Sequence, residues 1–154
     1  MATEIERKFL VSDLPPASTL GPGSALRQGY LAEEDGVEVR LRLADGEATL
    51  TIKAGRGRAR TEVETGLDPA QAEDLWPHTE GRRIEKTRYE VPLGALTAEV
   101  DVYGDALAGL QVVEVEFPSE ADADGFEPPS WFGRELTGVD GWSNAALARH
   151  GLPS

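Results

Sequence analysis

The sequence predicts a mainly β domain in which eight antiparallel strands close into a barrel, with charged side chains inside and a few short covering helices. Apolar and charged residues alternate along about eight runs, as in Val37-Glu38-Val39-Arg40-Leu41-Arg42, and this two-residue period is typical of strands. Like-charged residues repeatedly stand two positions apart, so each such pair shares one face of its strand. Closure into a barrel also removes the exposed edges that an open sheet would leave.

The like-charged pairs indicate which face of the strands lies inside. Neighbouring like charges mildly destabilise a sheet, and a face in water has no need to separate its charges by sign. A wet outer face is the ordinary alternative for any single strand, but a shared interior gives all the pairs one common cause, a bound polyion. The six pairs are Glu4 with Glu6, Arg40 with Arg42, Glu62 with Glu64, Lys86 with Arg88, Glu99 with Asp101, and Glu114 with Glu116.

The strands are expected near residues 3–11, 26–32, 37–44, 47–54, 60–66, 82–92, 97–103 and 111–117. Asp45-Gly46 lies between two alternating runs, which is a strong hairpin signal. We expect the glycine-containing segment from Gly55 to Arg60 to be a solvated basic hairpin tip. It lacks the strand-loop-helix context and the Gly-Lys-Ser/Thr ending of a phosphate-binding loop.

Two helices have clear end signals. Asp68 and Pro69 fit the N-cap and the first position of a helix that Pro77 closes, and Ser143 fits the N-cap of a last helix ending at Gly151. Residues 118–129 are expected to be turns. Within them, residues 122–125 lack the remaining ligands of a calcium loop. The helices and the regions of Trp131 and Trp142 are expected to cover the apolar outer faces.

Composition excludes several classes of function. The 154 residues show no composition break, so residues 1–154 are expected to form one domain. A net charge of -13 argues against nucleic acid and anionic membranes as partners. The absence of cysteine excludes disulfides, thiolate catalysis and Cys-ligated zinc. The start of the chain has no leader pattern and no apolar run could span a bilayer, so we expect a soluble cytoplasmic protein.

The predicted interior carries more acids than bases. Surplus carboxylates beside Arg and Lys indicate that divalent cations accompany a phosphate compound, because a triphosphate carries roughly four to five negative charges and hard cations prefer oxygen ligands. The acids are Glu4, Glu6, Glu38, Glu62, Glu64, Glu99, Asp101, Glu114 and Glu116, and the bases are Lys8, Arg40, Arg42, Lys53, Lys86 and Arg88.

Ordered motifs along nearly the whole chain resemble those of the CYTH superfamily, the triphosphate tunnel metalloenzymes. The opening Glu4-Ile5-Glu6-Arg7-Lys8 matches the ExExK signature of that family. The resemblance implies an eight-stranded antiparallel barrel that forms a tunnel for a triphosphate. The later matching motifs are Gln28-Gly29-Tyr30-Leu31, Val39-Arg40-Leu41-Arg42, Thr51-Ile52-Lys53, Glu62-Val63-Glu64, Lys86-Thr87-Arg88-Tyr89, Val113-Glu114-Val115-Glu116-Phe117, Gly133-Arg134-Glu135-Leu136-Thr137 and Ser143-Asn144.

The resemblance also implies roles for individual residues. Glu4, Glu6, Glu114 and Glu116 are candidate ligands of Mg²⁺ or Mn²⁺. Lys8, Arg40, Arg42, Lys53, Lys86 and Arg88 are candidate phosphate-binding residues, and Glu62, Glu64, Glu99 and Asp101 are expected to orient these bases. For the candidate metal ligands and for the phosphate-binding residues alike, the alternative is that they form ion pairs with a purely structural role.

The attacking water can be activated in two ways. The resemblance to small bacterial family members implies that Tyr30 pairs with Lys86 as a general base. The alternatives are that Tyr30 only packs or that metal activates the water without a protein base. His78 and His150 are expected at the surface.

The preferred reaction is hydrolysis of inorganic tripolyphosphate to pyrophosphate and phosphate, because the chain is little more than the tunnel and shows no aromatic pocket for a base or thiazole. The alternatives are an adenylate cyclase, a thiamine or nucleoside triphosphatase, and a polyphosphate- or nucleotide-binding protein without catalysis. The oligomeric state stays open, a homodimer included.

Overall fold

The computed structural model describes residues 3–153, which form nine strands and four short helices. The strands are β1 (Thr3–Val11), β2 (Ser24–Glu34), β3 (Val37–Ala44), β4 (Glu47–Ala54), β5 (Ala59–Leu67), β6 (Arg83–Leu93), β7 (Leu96–Tyr103), β8 (Gln111–Glu116) and β9 (Phe132–Glu135). The helices are α1 (Ala17–Leu20), α2 (Pro69–Leu75), α3 (Glu120–Gly125) and α4 (Asn144–His150), with 3-10 turns at Trp76–Thr79 and Asp105–Leu107. The eight predicted strands agree with the observed ones within two residues at each end.

Strand β1 closes the sheet into a ring. The strands follow one another in the order β5, β4, β3, β2, β6, β7, β8, β1, and every pairing is antiparallel. The start of β1 then pairs with β5, and its end pairs with β9. The predicted eight-stranded closure is therefore confirmed. Strand β9 was not predicted, because four residues are too few to display a two-residue period.

Two tight hairpins have the expected turn residues. Asp45 and Gly46 both have positive φ, 52° and 77°, and Asp35 and Gly36 repeat this geometry at 50° and 78°. Two consecutive residues in this region define the turn whose twist matches that of the flanking strands, and Asp-Gly tolerates it well. These turns fix the register of β2, β3 and β4, so they decide which of their side chains face inward.

The helix ends follow the capping signals. The side chain of Asp68 accepts a hydrogen bond from the Gln71 backbone N–H at 2.8 Å, and Ser143 accepts one from Ala146 at 3.1 Å. Helix α2 ends at Leu75, just before Pro77, as predicted. The chain continues as a 3-10 turn, and Pro77 lies in its first turn, where no backbone N–H is needed. Helix α3 forms where turns were expected, capped by Ser119. No helix within residues 3–153 combines the length and the apolar character needed to cross a bilayer.

Apolar side chains form one cluster outside the ring and a second one inside. The outer cluster contains Phe9, Val100 and Val113 and is covered by α1, α3 and the segment around Trp131. The inner cluster joins Ala145 and Leu147 of α4 to inward-facing residues at one part of the ring, which include Ile84, Tyr103 and Val112. Trp142 packs against this inner cluster. The predicted outer cover is thus correct for Trp131 but wrong for Trp142, because α4 turns inward.

Candidate functional site

The ring encloses a cavity of about 570 Å³ whose wall is mostly charged. Because side chains alternate along each strand, one face of each of the strands β1 to β8 contributes to this wall. Two of the predicted site residues, Lys86 and Asp101, do not line it. The predicted residues that do line it are Glu4, Glu6, Lys8, Tyr30, Arg40, Arg42, Lys53, Glu62, Glu64, Arg88, Glu99, Glu114 and Glu116.

The strand register brings residues that are far apart in sequence into contact on this wall. Arg40 stands directly opposite Tyr30 on one side and Thr51 on the other. Across the ring, Lys8 stands opposite Glu114, and Glu114 stands opposite Glu99. Side chains at such directly opposed positions lie about 5 Å apart at Cβ, so each charge interacts with its cross-strand neighbours.

The wall formed by β3, β4 and β5 contains paired charges. The Nζ atom of Lys53 lies 3.2 Å from Oε1 of Glu4 and 3.7 Å from Oε1 of Glu62. Glu62 also lies 3.7 Å from Nη2 of Arg40. Burial, followed by the adjacent Glu4 carboxylate, raises the pKa of Glu62 to about 7 in spite of these cations. Glu62 thus lies within ion-pair distance of two bases, and its role in orienting them stays a prediction.

The opposite wall holds a tighter group. Asp101 accepts hydrogen bonds from Nζ of Lys86 at 2.8 Å and from Nε and Nη2 of Arg88 at 2.8 and 2.9 Å. Arg88 also donates to Glu99 at 3.1 Å. Burial lowers the pKa of Lys86 to about 8, although the carboxylate of Asp101 opposes this shift. The Lys86 ammonium is therefore engaged behind the wall, while Arg88 reaches the cavity.

Lys8 and Arg42, unlike the exposed Arg56, are partly buried bases of the cavity wall, and neither has a carboxylate within ion-pair distance in the described part of the chain. Nζ of Lys8 donates to the backbone carbonyl of Trp142 at 2.7 Å, and the Arg42 guanidinium donates to Oε1 of Gln28. Burial lowers the pKa of Lys8. Burial, followed by the positive charges of Arg40 and Arg88, lowers the pKa of Arg42 to about 10. Both residues are partly buried cations without a direct ion pair, although Glu114 stands opposite Lys8 on the neighbouring strand, and a bound anion would stabilise both.

Carboxylates accumulate near the junction of β1 and β8. Glu6 stands directly opposite Glu116. Burial, followed by the negative charge of Glu114, raises the pKa of Glu6 to about 9. Burial acts in the same direction on Glu114, but Lys8, Arg88 and Lys86 outweigh it and hold the pKa of Glu114 far below its usual value. Of these two neighbouring acids, Glu6 is the one whose pKa is raised, so burial and the charge of Glu114 favour its protonated form.

This acidic group fits a hard divalent cation, because it offers carboxylate oxygens and a crowding of negative charge that a cation would relieve. Within residues 3–153, however, no three Asp, Glu or His side chains are placed so that they could hold a metal ion unaided. Mg²⁺ in proteins is commonly held by one or two carboxylates together with phosphate oxygens of a substrate. The side chains as placed thus fit a cation that arrives with, or is completed by, a phosphate compound.

Tyr30 is fully buried by the surrounding strands, yet its side chain contributes to the cavity wall. Among the described residues, its hydroxyl has no hydrogen-bond partner. Burial raises the pKa of Tyr30, and the nearby Arg40 guanidinium opposes this shift without reversing it. The shift is opposite in direction to the one that a tyrosinate base would need.

Arg60 is a cavity residue that was absent from the predicted set. It stands opposite Glu4 where β5 meets β1, and its Nη2 donates to Oε1 of Glu38 at 2.9 Å. The expectation of a solvated basic tip is wrong for this residue, because the two-residue period that places Glu62 and Glu64 inward extends back to Arg60. This two-residue period is the sequence signal from which Arg60 could have been predicted as a cavity residue. His78 and His150 are exposed, as expected.

Comparison with known proteins identifies relatives across nearly the whole chain. The CYTH domain family model matches residues 2–136. The inorganic triphosphatase of Nitrosomonas europaea is 48% identical over 95% of this chain and 97% of its own length. The inorganic triphosphatase of Acetivibrio thermocellus is 34% identical over 97% of this chain and 96% of its own length.

Solved structures agree with this result. The crystal structure of the inorganic triphosphatase NE1496 superposes with a TM-score of 0.72 at 44% identity, covering 99% of each chain. The PH1012 protein from Pyrococcus horikoshii has a TM-score of 0.60 at 19% identity, covering 79% of this chain and 82% of that chain. At that identity, only the fold is shared.

Proposed function

The chain belongs to the CYTH domain family, and from that membership we propose that it hydrolyses inorganic triphosphate to pyrophosphate and phosphate inside the strand ring. The observation that carries the proposal is that Lys8 and Arg42 are partly buried cations of the cavity wall whose hydrogen bonds go to neutral oxygens and not to carboxylates. They stand on β1 and β3, which are separated by two strands on one side of the ring and four on the other. A linear polyanion that extends between these walls would neutralise both.

Further bases of the wall would bind the remaining phosphate oxygens. Arg40, Lys53 and Arg88 line the cavity and are held by carboxylates, which fixes their position without removing them from the wall. A guanidinium can bind a phosphate through two parallel hydrogen bonds, whereas an ammonium acts as a point charge. A direct contact between Lys86 and a phosphate stays a prediction, and it would require Lys86 to leave Asp101.

We propose that Glu4, Glu6, Glu114 and Glu116 supply the oxygen ligands for Mg²⁺ or Mn²⁺. A bound cation of this kind supplies Lewis-acid stabilisation of the phosphoryl charge. The support is the acidic crowding described above, with Glu6 opposite Glu116 and adjacent to Glu114. On this view the carboxylates give up their shared proton when the cation binds, so binding releases protons.

The side chains of the cavity wall would then contribute to the reaction by positioning the reactants and by stabilising the charge on the phosphoryl group. In phosphoryl transfer the attacking and leaving oxygens lie roughly in line, and most of the catalysis comes from positioning and charge stabilisation. Arg40, Arg42 and Arg88 are placed to stabilise the charge on the transferred phosphoryl group. The unpaired hydroxyl of Tyr30 in the cavity wall is suited to orient the attacking water by accepting or donating one hydrogen bond.

The composition of the wall favours an inorganic substrate. Most of the lining side chains are charged, and such a surface offers a nucleoside base little apolar area to stack on. The names of the two curated relatives point to the same substrate. The cytoplasmic location and the oligomeric state stay predictions.

The test is orthophosphate release from inorganic tripolyphosphate, with and without added Mg²⁺ or Mn²⁺, and with ATP and pyrophosphate in parallel. We expect rapid, metal-dependent release from tripolyphosphate and little from the other two. Release of cyclic AMP from ATP would instead identify a cyclase. Tight binding of tripolyphosphate without any phosphate release would identify a binding protein, and either result would overturn the proposal.

A further inference from the structure

Gln28 lies on the inner face of β2, directly opposite Arg42 of β3, and its side chain is completely buried. Its Oε1 atom accepts two hydrogen bonds from Arg42, from Nε at 3.0 Å and from Nη2 at 2.8 Å. Two donors on one acceptor fix both the position and the rotation of the guanidinium plane. Because a guanidinium only donates, the amide must present its oxygen to Arg42.

Most other bases of the wall are held by carboxylates instead. Lys53 and Arg40 pair with Glu62, Arg88 pairs with Asp101, and Arg60 pairs with Glu38. A carboxylate fixes a guanidinium but also neutralises it. An amide of the same length also fixes the guanidinium but leaves its full positive charge in place. The neutral Gln28 amide therefore preserves the attraction of Arg42 for an anion.

The second half of the Gln28 amide supports a functional reason for this arrangement. Its Nε2 atom is buried and has no hydrogen-bond partner within residues 3–153. A buried donor without a partner destabilises the fold. Glutamate at this position would form an ion pair with Arg42 and would hold it in the same place, so fixing Arg42 does not by itself require glutamine.

We propose that Gln28 is a positioning residue that presents the Arg42 guanidinium to a phosphate group of the substrate while leaving its charge uncompensated. The inference rests on the proposed triphosphatase function and adds a residue to it. Gln28 itself does not line the cavity, so it acts through Arg42. Part of the affinity for triphosphate thus depends on a neutral side chain that lies behind the cavity wall.

The test uses Gln28→Glu, which keeps the geometry and adds the charge, and Gln28→Met, which keeps the size and removes the acceptor. KM and kcat for tripolyphosphate are measured with metal, and the affinity for tripolyphosphate without metal is measured by calorimetry. We expect Gln28→Glu to weaken the metal-free affinity and to raise KM by about tenfold or more, with a smaller change in kcat. Its melting temperature should equal or exceed that of the wild type.

Gln71→Glu is the matched control, because it adds the same charge at an exposed position of α2, where glutamate also completes the capping box. It should leave KM unchanged. In an Arg42→Ala background, Gln28→Glu should have no further effect on KM, since its effect passes through Arg42. Gln28→Met should weaken the affinity without the gain in melting temperature.

A folded Gln28→Glu protein with wild-type KM and wild-type metal-free affinity would overturn this inference and leave the proposed function standing. The same follows if Gln28→Glu weakens binding equally in the Arg42→Ala background, because its effect would then be general electrostatics. If the wild-type protein neither binds nor hydrolyses tripolyphosphate, the proposed function fails and this inference fails with it.

Discussion

The ammonium of Lys86 donates to the carboxylate of Asp101 at 2.8 Å, and neither side chain is exposed at all. Both charged groups have lost their hydration, so each is tolerated in the interior only because the other supplies the opposite charge. The pair connects the cavity wall to the interior behind it, because Asp101 also holds Arg88. These ion pairs therefore contribute both to the stability of the fold and to the position of Arg88 in the cavity wall.

Asp101→Asn should destabilise the protein strongly. The substitution leaves Lys86 and Arg88 without their shared counter-charge, and breaking such a buried pair typically costs about 3–5 kcal/mol. The free energy of unfolding in urea measures this change. Glu85→Gln is the control, since it breaks the exposed Arg27–Glu85 pair, and it should cost less than about 1 kcal/mol. Equal effects of the two substitutions would contradict the assignment of Asp101.

Lys86 should make stability depend on pH in alkaline solution. Burial lowers its pKa to about 8 in the folded protein, below the ordinary lysine value of 10.5. The unfolded chain thus binds more protons between these values, and the destabilising contribution of Lys86 decreases as the pH rises through this window. The free energy of unfolding of the wild type, minus that of Lys86→Met, should increase from pH 7.5 to pH 10. A decrease over that range would show that Asp101 outweighs burial.

Arg42→Ala should lose much of the affinity for tripolyphosphate. A hydrogen bond between charged groups contributes about 1.5–3 kcal/mol, so kcat/KM should fall on the order of tenfold to a hundredfold. Steady-state kinetics measure the change. Arg27→Ala, on the outer face of the same sheet and half exposed, should leave kcat/KM within about twofold. A similar loss in both variants would mean that overall charge, not the cavity, controls binding.

Glu6→Gln should abolish most of the hydrolysis and still stabilise the fold. Removing a proposed metal ligand should lower kcat by at least about a hundredfold. Because burial and Glu114 raise the pKa of Glu6 to about 9, its carboxylate favours the unfolded chain at neutral pH, and the amide removes that effect. We expect a gain on the order of 1 kcal/mol in metal-free buffer at pH 7.

Thermal unfolding and phosphate release measure the two effects, with Glu73→Gln on the exposed face of α2 as the control. An active Glu6→Gln enzyme would rule out the metal-ligand assignment.

Tyr30→Phe should separate a water-orienting role from a general-base role. Loss of one hydrogen bond to the attacking water should lower kcat by about tenfold, with KM nearly unchanged. Because burial raises the pKa of Tyr30, the shape of the pH profile should not depend on this hydroxyl. If activity of the wild type rises with pH in the alkaline range and Tyr30→Phe loses that rise, tyrosinate would instead be identified as the base.

Much of the site could be predicted from local patterns. The period of two places Glu4, Glu6, Arg40, Arg42 and Lys53 on one face of their strands whatever the rest of the chain does. Arg60 follows from the same rule, because the predicted strand already begins there, but the basic glycine-containing segment before it led to the expectation of a solvated tip. The starts of α2 and α4 could be predicted for a similar reason, because the side chains of Asp68 and Ser143 accept hydrogen bonds from backbone N–H groups of their own helices.

The sequence by itself therefore determined the strands, their inward faces and the charged character of the interior, because each depends on neighbours within a few residues. Only the tertiary structure decided which of those charges are compensated. Lys86 is buried against Asp101, whereas Lys8 and Arg42 bond to neutral oxygens. These partners lie on other strands or on the segment before α4, so the pairing depends on register, ring closure and the inward turn of α4.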